Sequence, residues 1–205
     1  MQTNLAKNRL LSIIPHNANR VILSSIRGVD GSDYVNASYI DGYRSRAPYI
    51  ATQAPLTATL EDFWRMLWET ESNLIVRLQA TPSKMDPCAD DMPIYWQSSS
   101  APGPARFGFF VVDPVAEYQM PGYVLREFRL TDARDGRSRT VRQFDASSSA
   151  DLMEEMAGEL IRLVRARAMS PVKSVSTRHS IVICDLYCYG ANVIAFVKLM
   201  LFSFK

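Results

Sequence analysis

The chain has 205 residues, 47% hydrophobic and 10% aromatic, with 23 Lys+Arg against 21 Asp+Glu for a formal net charge of +2. That much apolar surface can bury the core of one domain, which excludes wholesale disorder, and the even charge excludes the basic stripe of a dedicated nucleic-acid binder. Three scattered cysteines make no disulfide framework, and two histidines, His16 and His179, leave little for a zinc site, so neither metal nor cofactor is expected.

Lys7 and Arg9 are followed by no long apolar run, so residues 1–12 do not read as a signal peptide and a cytoplasmic, reduced setting is expected. Ser32 to Ile40 alternates loosely and stops at Asp41-Gly42, a strand ending in a tight turn. Thr59 to Glu69 spaces Phe63, Met66 and Leu67 helically, with Trp64 and Trp68 beside them and acidic residues at its start, which predicts an amphipathic helix. Leu74 to Leu78 is a short buried strand, except that Arg77 inside it must snorkel, pair or mark an edge.

Residues 79–106, rich in Pro, Ser and Asp, read as a loop around Tyr95-Trp96. Phe107 to Val112 and Tyr123 to Leu130 read as strands, and Asp135-Gly136 signals a hairpin between Leu130 and Thr140. Asp151 to Arg167 places Leu152, Met156, Leu160, Leu163 and Val164 on one face, a second helix. Ile181 to Phe204 is nearly all apolar, but Asp185 and Lys198 interrupt it before the roughly 20 apolar residues a membrane span needs. A buried strand, turn and helix is the ordinary reading; a marginal membrane segment and a tail that packs nowhere are the other two.

Six strings in the first 144 residues then resemble the protein tyrosine phosphatase domain in order and spacing: KNR at 7–9, SDYVNASYIDGY at 32–43, YIATQAPL at 49–56, DFWRMLWE at 62–69, YW at 95–96 and TVRQF at 140–144. The run from Phe109 to Phe144 looks more particularly like the second, membrane-distal domain of the leukocyte common antigen-related receptor phosphatases. The resemblance stops at Phe144, which divides the chain into a phosphatase-like region, 1–144, and a divergent tail, 145–205. It implies an α/β fold with a twisted mixed sheet flanked by helices, here altered or truncated at the C-terminus. It also implies a phosphotyrosine pocket built by Asn8, Arg9, Asp33, Tyr34 and Asn36. Phosphotyrosine proteins or a phosphatase domain are the implied partners, with a membrane involved only through a parent receptor. Where the family stacks an aromatic residue on the substrate ring this chain has Leu10, and where it holds the substrate backbone with an acidic residue it has Ser12.

Hydrolysis of a phosphate monoester on cysteine needs a low-pKa thiolate, a cradle of backbone N–H groups and an arginine whose planar fork clamps two phosphoryl oxygens. The family supplies these as Cys, five residues, then Arg, with a Trp-Pro-Asp loop carrying the general acid. Six residues after Cys88, Cys184 and Cys188 lie Ile94, Gly190 and Ile194, and Trp64, Trp68 and Trp96 are followed by Arg65, Glu69 and Gln97. Neither motif is present. The tail still has the family's order of helix, loop, strand and phosphate loop, which puts Cys184 at the nucleophile's place, with Asp185 beside it raising the thiol pKa.

Each candidate also has an ordinary reading. Asp33, Asn36 and Asp41 are the residue types that satisfy turns, Trp64 and Trp68 are core anchors, His16 and His179 are loop residues, and Cys184 is a common kind of buried residue. The basic bias of Arg9, Arg20, Arg27, Arg44 and Arg46 fits a solvated surface as well as a phosphopeptide. Three functions stay open: an impaired domain acting by protein contact, a phosphatase with trace hydrolysis through Cys184, and a partial product whose tail prevents stable folding.

Overall fold

The computed structural model describes residues 2–41, 49–78, 94–96, 103–120, 123–146 and 181–184. These form a nine-stranded mixed sheet. In chain order the strands are β1 (Arg20–Ile22), β2 (Tyr34–Ile40), β3 (Tyr49–Thr52), β4 (Leu74–Leu78), β5 (Ala105–Phe107), β6 (Phe110–Met120), β7 (Tyr123–Asp132), β8 (Ser138–Ala146) and β9 (Ile181–Cys184), and α1 (Leu60–Glu69) lies between β3 and β4. Across the sheet the order is β1-β2-β3-β9-β4-β8-β7-β6-β5.

The middle of that sheet is parallel and its wings are antiparallel. β9 pairs in parallel with β3 on one side and β4 on the other, and β4 pairs in parallel with β8. A parallel strand is covered on both faces and so reads as a continuous apolar run rather than an alternating one. Leu-Ile-Val in β4 and Ile-Val-Ile in β9 have that character, and Ile75, Val76 and Val182 are fully buried. The wings obey hairpin rules. β7 and β8 join through the predicted Asp135-Gly136 turn, with Gly136 at φ +72°.

α1 occupies the stretch its periodicity predicts. Glu61 and Asp62 in its first turn suit the positive end of the helix dipole. At the other end, the Thr70 N–H donates to the Met66 carbonyl and Arg139 Nη2 donates to the Trp68 carbonyl. Trp64 is fully buried, stacked on Phe107 and edge-on to Phe63 and Phe128. Trp68 packs partly buried against the same core, so both tryptophans are anchors as expected.

Two expectations need correcting. Residues 79–106 are not loop throughout: Ala105–Phe107 is β5, and the turn at Tyr95-Trp96 is buried in the core. Trp64 Nε1 donates to the Tyr95 carbonyl, and the Tyr95 hydroxyl donates to Gln143 Oε1, so this segment is fixed from both sides. Phe107 to Val112 is not one strand either. Gly108 at φ +58° opens a two-residue turn between Phe107 and Phe110, and a side chain there would collide with the Glu61 carboxylate. β6 then runs on to Met120 across Pro114, which is accommodated where the register shifts between Pro114 and Ala116. The predicted helix at 151–167 and the apolar residues after Cys184 lie outside the described residues. Among the described residues no helix is long and apolar enough to cross a membrane.

Candidate active site

Because β3, β9, β4 and β8 run in parallel, their carboxyl ends, Thr52, Cys184, Leu78 and Ala146, share one edge of the sheet. Ligands of open α/β sheets bind beyond that edge. The segment 7–13 is drawn towards it by the residues that follow β3. Gln53 grips the segment with both ends of its amide: Oε1 accepts from the Arg9 N–H at 2.9 Å, and Nε2 donates to the Lys7 carbonyl at 2.8 Å. Arg9 also reaches the Ala54 and Pro55 carbonyls, at 3.4 Å each.

Three of the sequence candidates form one network. Asn8 Oδ1 accepts from the Tyr34 hydroxyl at 2.5 Å and from Asn36 Nδ2 at 2.9 Å, while Asn36 Nδ2 also donates to the Ile13 carbonyl at 3.0 Å. Burial holds the Tyr34 phenol above its ordinary pKa, against the positive charge of Arg20. Asp33 stands apart from this group. It accepts from Arg20 Nη2 at 2.8 Å, and that hydrogen bond holds its carboxyl below the usual value. Sequence reasoning missed Lys7 and Gln53, although each sits inside a quoted motif. Lys7 Nζ bonds to Asp62 Oδ2 at 2.8 Å and the Gly31 carbonyl at 2.9 Å, tying the segment to α1.

The other flank of the parallel edge carries charge. Arg77 faces Cys184 in register on one side and Asp145 on the other. The buried Asp145 carboxylate is bonded to Arg126 Nη1, lies 3.8 Å from Arg77 Nη1 and accepts from Gln143 Nε2 at 2.8 Å. Both guanidinium groups lie near the Trp96 ring, Arg126 at 4.9 Å and Arg77 at 5.5 Å from its centroid. Arg77 therefore pairs, which answers the question its place in an apolar strand raised. Cys184 ends β9 between β3 and β4, while Asp185, Gly190, Cys88, Cys188 and His179 lie outside the described residues. His16 is exposed, as expected of a loop residue.

The family model for protein-tyrosine phosphatase matches residues 4–187. The chain belongs to the protein-tyrosine phosphatase family. Where the sequence reading ended the resemblance at Phe144, the family match runs on to residue 187 and includes β9. The chain is 56% identical over 142 residues to receptor-type tyrosine-protein phosphatase S of Gallus gallus, covering 69% of this chain and 9% of that protein. It is 54% identical to receptor-type tyrosine-protein phosphatase F of Homo sapiens and 52% to tyrosine-protein phosphatase Lar of Drosophila melanogaster, over the same length and 7% of each. The chain thus spans less than a tenth of these relatives. A solved structure of PTPN18 in complex with HER2 phosphopeptides superposes with a TM-score of 0.76 at 26% identity, covering 98% of this chain and 66% of that one. The receptor-type relationship and the α/β phosphatase fold expected from the motifs both hold.

Proposed function

We propose that this receptor-type phosphatase family domain is catalytically impaired and acts by protein contact, recognising phosphotyrosine proteins or a phosphatase domain. The observation that carries the reading is at the end of β9. Cys184 occupies the carboxyl end of a central parallel strand, yet the residue six positions on is Gly190 and no Trp-Pro-Asp occurs in the chain. Losing one group that stabilises the transition state costs on the order of 10²–10³ in rate, and this chain lacks both the arginine and the acid. Leu10 and Ser12, where the family stacks and anchors substrate, weaken the pocket further.

Asn8, Arg9 and Tyr34, half-buried and backed by the buried Asn36, support a recognition surface because each is already held by hydrogen bonds within the domain. A preformed wall of this kind loses little freedom when a ligand arrives. Trace hydrolysis through Cys184 is the second reading, favoured by the position of that residue at the ligand-binding edge. A cooperatively melting sample assayed on an aryl phosphate and a phosphotyrosine peptide, beside Cys184→Ser, separates them. We expect no turnover in either protein. Turnover abolished by Cys184→Ser would overturn the impaired reading, and the absence of a cooperative melt would point to the unstable partial product.

A further inference from the structure

β6 is the long strand of the antiparallel wing, and only its first part is paired on both sides. β5 pairs with Phe110, Val111 and Val112, while β7 runs beside β6 as far as Met120. The outer edge over residues 113–120 therefore has no strand partner among the described residues. Alternate residues of an antiparallel edge turn their N–H and C=O groups outward, which makes such an edge a template for another strand. Pro114 and the register shift beside it blunt the first part of the edge. Residues 116–120 carry neither device, and Glu117 is the single charge among them. We propose that this edge is a self-association surface, on which residues 116–120 of a second copy of the chain add antiparallel across a two-fold axis at Tyr118.

The segment is complementary to itself in that arrangement. Tyr118 faces the partner's Tyr118, Glu117 faces the partner's Gln119, and Ala116 faces the partner's Met120. The first is an aromatic pair and the second sets an amide donor against a carboxylate, both favourable cross-strand neighbours, and no like charges meet. Within the chain Gln119 Nε2 already donates to Glu117 Oε1 at 3.0 Å, and Arg126 Nε bonds Glu117 Oε2 at 2.6 Å, yet the Glu117 side chain stays half exposed. The pairing also joins apolar surface. Tyr118 lies opposite Leu125 and Met120 opposite Tyr123, so these four share one face of the wing. Tyr118 and Met120 are 47% and 43% exposed there, and the two-fold axis sets the two apolar clusters side by side. A foreign segment would need a sequence that matches this face, whereas a second copy brings the match with it. An edge this short buries less than the roughly 1,000 Å² of a stable interface, so the association is weak and reversible.

The surface is independent of whether the domain hydrolyses anything. Sedimentation equilibrium of the intact, cooperatively melting chain, from low to high micromolar concentration, is expected to show monomer and dimer and no larger species, because a two-fold contact closes on itself. Gln119→Glu sets two carboxylates opposite each other on both sides of the axis, and Gln119→Lys sets an ammonium opposite each Glu117. The dimerisation constant should fall about fivefold in the first variant and rise about fivefold in the second. A monomer at every concentration would overturn the proposal and leave the edge to a foreign strand. Two variants that move the equilibrium the same way, or not at all, would overturn it as well. Amide exchange on the parent chain needs no variant: exchange within residues 116–120 should slow as the dimer forms, and unchanged rates beside a measured dimer would put the contact elsewhere and refute the assignment.

Discussion

Replacing Asp145 by Asn tests the charged cluster at the carboxyl end of β4 and β8. The substitution retains the shape and the oxygen that accepts from Gln143, and replaces the charged oxygen that faces Arg126 and Arg77 by an uncharged NH2. Arg126 and Arg77 then lack their buried counter-ion, with side chains only 17% and 11% exposed. Breaking a buried pair from one side costs about 3–5 kcal/mol. Arg126 keeps Glu117 at 2.6 Å, and Glu117 is half exposed, so that contact offsets little. About 3 kcal/mol is therefore expected, which corresponds to roughly 6–12 °C in Tm for a domain of this size. Urea and thermal unfolding followed by circular dichroism at neutral pH would measure it, and a cycle with Arg126→Met should return a coupling of about 1–3 kcal/mol. If Asp145→Asn stays within about 0.5 kcal/mol of the parent and the coupling vanishes, these charges are solvated and the reasoning fails.

Gly31 at φ +71° is followed closely by β2, and a side chain there would also meet the Asn4 amide. Gly31→Ala should lower stability by about 1–2 kcal/mol, chiefly through the left-handed backbone, and a neutral result in a chemical melt would refute that. The Asp33 and Asp132 carboxyls are held below their ordinary values, chiefly by hydrogen bonds from Arg20 and Arg134. Each therefore contributes stability that is complete above the unfolded carboxylate value near pH 4 and is lost as pH falls through the lower folded value. Melts from pH 7 to 2 should show a fall confined to the acid end, and in Asp132→Asn that fall should be shallower. Burial raises the Tyr34 and Tyr49 phenols, so the folded state holds those protons longer than the unfolded chain does. Stability should decline as pH rises past about 10, and a Tm that is flat from pH 9 to 11 would contradict the burial argument.

Much of this domain is local and so was legible in the chain. α1 follows from the spacing of Phe63, Met66 and Leu67, and the β7–β8 hairpin from Asp135-Gly136, because period and turn chemistry act over a few residues. The motif strings placed Asn8, Tyr34 and Asn36 as candidates, and the fold brings those three into one network. Gln53 and Lys7 escaped attention because nothing in their neighbours marks a residue that grips a segment more than forty positions away. Tyr95 and Trp96 do sit in a turn, but their burial is illegible for the same reason. Their surroundings in sequence are Pro, Ser and Asp, while their burial comes from α1 and β8.

The sequence by itself determined the family, the apolar strands, the helix and the absence of the Cys-x5-Arg and Trp-Pro-Asp strings. Only the tertiary structure decided where β9 goes. An apolar run of Ile-Val-Ile suits any buried strand, and its place between β3 and β4 rests on parallel partners more than a hundred residues away in the chain. That placement puts Cys184 at the carboxyl edge and next to Arg77, whose charge in an apolar strand is tolerated because β8 sets Asp145 in register beside it. Hydrogen bonding across strands, unlike a turn or a helical period, links residues that have no sequence relation, so its outcome appears only once the chain has folded.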